Sequence, residues 1–225
     1  MLLTVSYDPD RDAENYVHSI YERAYSAHGR TDFIENLIKS IESVEIKTAL
    51  KESASREEAL KTITTLLTQQ YKNSSDDLDK KAKKLEEEWK RIGTQIEWQL
   101  AFLYQKPFLF EAIHVDLTSI PICPYHFNER RIFIYTKEPV GIQLSILMHE
   151  LNHFMFYQYY QQLLKKLGKE NFELLKESLT LFTNPEQMGK PHEQPLRDLF
   201  LSKTYNNLHE AIEDGALFLT NNSKK

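Results

Sequence analysis

The spacing of apolar positions changes period twice along this chain. Leu2 to Tyr7, "LLTVSY", is a short apolar run with β-branched residues, and Asp8-Pro9 ends it. It predicts a strand. From Asp10 to Tyr104 the spacing is helical almost throughout. Tyr16, Val17, Ile20, Tyr21 and Ala24 mark one face, closed near Gly29, and Phe33, Leu37, Ile38 and Ile41 mark a second. A third helix opens at "SREE", where Ser55 can cap and Glu58 can reach back. In the fourth, Leu78, Ala82, Leu85, Trp89, Ile92, Ile96, Leu100 and Leu103 recur in steps of four and three. That is one apolar stripe on a long helix from Asp76 to Tyr104. The charged run "DKKAKKLEEE" within it is a solvated face.

Alternation at period two follows. Ala112 to Ile120, "AIHVDLTSI", and Arg131 to Thr136, "RIFIYT", predict strands joined by a loop containing Pro121 and Pro124. From Pro139 the pattern is helical again. Gly168 suits a helix end, Asn184-Pro185 stops the next helix, "GKPHEQP" is a loop, and a last helical region runs from about Leu196 to Leu219. The expected fold is α+β and mostly helical, with a small β-sheet and an N-terminal helical block.

Composition narrows the picture. Of 225 residues, 41% are apolar and 27% charged, which is ordinary for a globular chain of one sizeable core. A net charge of −5, with Lys and Arg interleaved among acids, argues against a nucleic-acid partner. Cys123 is the single cysteine, so no internal disulfide can form. No basic n-region precedes the first apolar run, and no stretch of about 18 apolar residues occurs. A cytoplasmic protein without a membrane partner is expected.

One apolar segment carries polar residues that need an explanation. "SILMHELNHFMFYQYY", Ser145 to Tyr160, holds His149, Glu150 and His153 in its middle. On a helix, His149 and His153 project from one face, one turn apart. Their imidazoles can take two sites of a tetrahedral zinc ion. Glu150 lies about 100° round the helix, beyond reach as a third ligand but placed to take a proton from a water.

The strand, the H-E-x-x-H motif and the following helix, roughly Ile132 to Glu177, resemble the zincin metallopeptidases. The metzincin branch needs Gly at position 156 and His at 159, where this chain has Phe156 and Tyr159. The gluzincin branch takes a glutamate from the next helix, and "NFELLKESLTLF" supplies Glu173 and Glu177. Glu177 lies beside Leu174 and Leu181 on the helical wheel, whereas Glu173 falls towards the polar side with Lys169 and Lys176. Glu177 is therefore the expected third ligand, with Glu173 as the alternative. Gluzincins often carry E-x-x-x-D. Here Leu181 follows Glu177 by four and Glu177 follows Glu173 by four, so a support for the ligands must come from elsewhere, Asn184 being one candidate.

The resemblance implies a zinc-dependent peptidase acting on a peptide or protein substrate, with Glu150 as general base. It implies a single domain, 1–225, in which 10–73 is an inserted helical block and 74–225 with strand 2–7 forms the catalytic core. "RIFIYT" would be the edge along which an extended peptide adds. Such enzymes take an oxyanion donor from a His or Tyr after the ligand helix. His192 is the expected donor, with Tyr205 and His209 as alternatives. The rival expectation is a helical protein-interaction module with a non-catalytic metal site.

Overall fold

A computed structural model describes residues 1–22, 31–185 and 189–222. Ala24 and Gly29 lie outside them. The protein is α+β and mostly helical, with one four-stranded mixed sheet. No helix among the described residues is long and apolar enough to cross a membrane.

Strand β1 is Leu2–Ser6, and Asp8 then caps helix α1, Pro9–Val17. The Asp8 carboxylate accepts from the amides of Asp10 and Arg11, and Pro9 occupies a first-turn position where its missing N–H costs nothing. A π-helical turn, His18–Glu22, follows. Helices α2, Thr31–Ser40, and α3, Val44–Glu52, come next. Helix α3 has no counterpart among the predicted helices; Ser43 caps it, accepting from the Ile46 amide at 3.1 Å. Helix α4 runs from Arg56 to Tyr104 and is broken by non-helical backbone at Ser74. Its two halves are the third and fourth predicted helices. Glu58 reaches back to the Ala54 amide while Ser55 Oγ accepts from Glu58.

The strands β2, Ala112–Thr118, β3, Tyr125–His126, and β4, Arg131–Tyr135, complete the sheet in the order β1-β2-β4-β3. β1, β2 and β4 are parallel, and β3 is antiparallel to β4. The expectation that "RIFIYT" forms an edge is corrected here. The predicted Pro-containing loop turns back along β4: Tyr125 and His126 pair with Ile132 and Arg131, Pro124 O accepts from the Phe133 amide, and Cys123 Sγ accepts from the Tyr135 amide. The outer ladder groups of β4 are occupied by its own chain, so a peptide could not add there without displacing this segment.

Helix α5 is Val140–Tyr160 and α6 is Leu163–Ser178, the latter interrupted at Gly168 (φ +75°), a left-handed conformation that favours glycine. A 3-10 turn, Leu179–Phe182, follows. The expected last helix is two, α7, Gln194–Leu201, and α8, Leu208–Asn222.

Contacts divide the chain into two compact units. One comprises Leu2–Arg91 and Glu111–Ile146; the other comprises Met1, Ile92–Phe110 and Leu147–Lys225. The predicted block, 10–73, lies within the first of these units. The early helices share a unit with the sheet, because Ala13, Tyr16 and Val17 of α1 join Ile41, Ile46, Ile63, Leu67 and Ile120 in one buried cluster. Asp12 also binds Thr118 and Ser119 at the end of β2.

The other unit has its own core. Leu151, Phe154 and Phe156 of α5 are fully buried, as are Phe172 and Leu175 of α6 and Ala211 of α8. Tyr104 donates to the carbonyl and side chain of Asn152, at 3.1 and 2.9 Å. Phe156 meets Phe172 with ring centres 5.0 Å apart. Helix α8 approaches α6 closely at Gly215, where a Cβ would lie 2.7 Å from Leu175 Cδ1. That approach fixes the segment carrying Glu173, Lys176 and Glu177.

Candidate metal centre

His149 and His153 sit one turn apart on α5, with ring centres separated by 4.5 Å. Phe154, Met155 and Phe156 anchor the same helix in the core, so the two imidazoles are presented from a fixed backbone. Gly168 ends the first part of α6, and the part beyond it buries Phe172 and Leu175. Glu177 then turns towards the imidazoles. Its Oε2 is 3.8 Å from His149 Nε2 and its Oε1 is 3.5 Å from His153 Nε2. Donor atoms of these three residues all lie within 4.8 Å of one another, and no other set of three or more His, Cys, Asp or Glu converges in this way among the described residues.

The donors suit a metal ion. Ligands about 2.1 Å from a tetrahedral zinc stand roughly 3.4 Å apart, close to the separations seen. A ligand imidazole must be neutral. Burial, with Lys176 and His149 nearby, pushes His153 down to about 3 despite the adjoining Glu177. Burial alone would raise the Glu177 carboxyl, but His153, Lys176 and Lys190 hold it well below the usual carboxylate range. Glu177 is thus an anion, and where His153 is neutral the cations that remain beside it are Lys176 and Lys190.

The sequence reading missed Lys176. The wheel put it on the polar side, yet it is 2% exposed. Its Nζ lies 2.6 Å from Glu173 Oε2 and 3.3 Å from Glu177 Oε1. Burial works against the ammonium, but Glu177 and Glu173 more than compensate and raise its pKa. The i, i+3 spacing of Glu173 and Lys176 was the available signal. Lys176 thus sits between the two carboxylates, beside the paired imidazoles.

Glu173 is not one of the gathered donors. Its Oε1 accepts from Tyr157 at 2.6 Å and its Oε2 faces Lys176. Glu150 is buried, at 8% exposure. The three donor candidates differ from one another. Tyr205 donates to Asp214 at 2.7 Å. His209 Nδ1 is 3.2 Å from the Tyr160 hydroxyl and its Nε2 is 3.3 Å from Glu213. His192 is half exposed before α7, 3.9 Å from Glu193, and is not part of the converging group.

No family model, curated protein or solved structure matches the chain.

Proposed function

We propose that this protein is a zinc-dependent hydrolase, a peptidase of gluzincin-like layout, with His149, His153 and Glu177 as metal ligands. The observation that carries this reading is the convergence of two imidazoles from one helix with a carboxylate from the next. A zinc ion held there would make water acidic near neutral pH and polarise a substrate carbonyl. Glu150, one residue beyond His149, takes the proton of the attacking water and passes it to the leaving amine. Tyr205 and His209 are held by other side chains, so His192 is the assigned donor to the developing oxyanion.

The purified protein should retain one zinc per chain through desalting and cleave a peptide library. Glu150→Gln should keep the zinc and abolish cleavage. His192→Ala should keep it and lower turnover ~10²–10³-fold. Full activity of the Glu150→Gln protein would defeat this mechanism.

A second reading is a helical interaction module. It is favoured by Trp98 and Phe102, exposed one turn apart on α4. A protein that holds no zinc would turn the assignment that way.

A further inference from the structure

Lys176 is almost fully buried between two glutamates, where one would neutralise it. The first, Glu173, is itself pinned: its Oε1 accepts from the Tyr157 hydroxyl at 2.6 Å, and the ammonium lies 5.8 Å from the centre of the Tyr157 ring. The second is Glu177, whose Oε1 is 3.3 Å from Lys176 Nζ and 3.5 Å from His153 Nε2, while its Oε2 is 3.8 Å from His149 Nε2. Tyr157 is one turn beyond His153 on α5, and Glu173 is one turn before Glu177 on α6. The helices that carry the metal donors therefore also carry the anchors of the lysine.

We propose that Lys176 is a positioning residue for Glu177: anchored on Glu173, its ammonium engages Oε1 and leaves Oε2 as the oxygen given to the metal. This rests on the metal-centre reading above. A carboxylate with both oxygens free can chelate a metal through both. With one oxygen held by an ammonium it contributes the other, and a coordination position stays available for water. The ammonium also draws on the charge of Glu177 and so loosens its hold on a cation. Glu173 offsets part of that effect. Removing the lysine and removing the charge of Glu173 should therefore act in opposite directions.

Cobalt(II) in place of zinc tests this on the full chain, because its visible absorption is intense in four-coordinate sites and weak in five-coordinate ones. Wild type should show the intense band. Lys176→Met should weaken the band and bind cobalt about tenfold more tightly in competition with a chelator. Glu173→Gln should keep the band and bind about tenfold more weakly, the scale typical of residues that support metal ligands. Lys176→Arg should restore the wild-type band. If Lys176→Met and Glu173→Gln both keep the wild-type band and affinities within about twofold, the proposal is overturned, whatever happens to their melting temperatures. Should Lys176→Met fail to fold, an unchanged cobalt affinity in Glu173→Gln overturns it equally. Wild type that binds no cobalt removes the metal-centre reading and this inference together. Wild type that binds it beside unaltered variants removes this inference alone.

Discussion

Asp12 is fully buried and Glu177 partly so, and the chain surrounds the two acids with different partners. Asp12, in the unit that contains the sheet, accepts from the hydroxyls of Tyr71, Thr118 and Ser119 and from the Ser119 amide. All four donors are neutral. Burial outweighs them and raises the Asp12 pKa. Glu177, in the other unit, is met by two imidazoles and an ammonium, and its pKa falls although burial opposes this. The hydroxyl cage completes itself, tying α1 to the end of β2. The ionic cluster instead sets Lys176 between two carboxylates and leaves two imidazoles and the Glu177 carboxylate converging as a group that could hold a cation. Burial of a carboxylate alone is thus a poor sign of function, and the charge of its neighbours is the better one.

The largest effect that would break this contrast is loss of metal. Glu177→Ala should weaken zinc at least ~100-fold, against about tenfold for Glu173→Ala, whose side chain binds the supporting lysine and tyrosine. Chelator competition measures both. The reverse order would make Glu173 the ligand. The corresponding change at Asp12 should leave zinc binding untouched.

Stability should separate the two acids the other way. Asp12→Ala removes the shared acceptor of three hydroxyls and an amide and should lower the unfolding free energy by about 3 kcal/mol in urea. Glu177→Ala in metal-free protein should cost about 1 kcal/mol or less, because Lys176 retains Glu173. Equal losses at the two positions would mean that both acids serve the fold alone.

Local pattern made most of the elements legible. Asp8-Pro9, Ser55 with Glu58, and Gly168 mark real boundaries because caps and positive φ depend on neighbouring residues. His149 and His153 were readable as a pair for the same reason: helix period places them. What was hidden depends on packing between distant segments. Tyr125 and His126 pair with β4 although a two-residue strand has no periodicity to read. The break at 202–207, between α7 and α8, carries neither Gly nor Pro. Lys176 looked like a surface cation since a wheel records direction but not what lies opposite. Opposite it lies α5, with the Tyr157 ring 5.8 Å from the ammonium, and the position is buried.

The smallest expected effect is also the sharpest in sign. The Asp12 pKa is higher folded than unfolded. Below the ordinary carboxylate value both states are protonated, and its favourable contribution is fully present. As pH rises from that value through the raised folded one, the unfolded chain releases its proton first and the contribution is lost. Asp12→Asn does not titrate. Wild-type stability minus that of Asp12→Asn should therefore fall across this window and stay flat above it. Asp116, also raised by burial despite Ser6 and Arg11, is present in both proteins and cancels in the difference. Glu177 should show the opposite slope in metal-free protein. Its folded pKa is depressed, so its contribution is present above the ordinary carboxylate value and is lost as pH falls below it. Wild type minus Glu177→Gln should then rise with pH through the acid range. Urea titrations at a series of pH values give both differences. Two slopes of the same sign would show that the hydroxyl cage and the ionic cluster act on their carboxylates alike, and the contrast between them would fail.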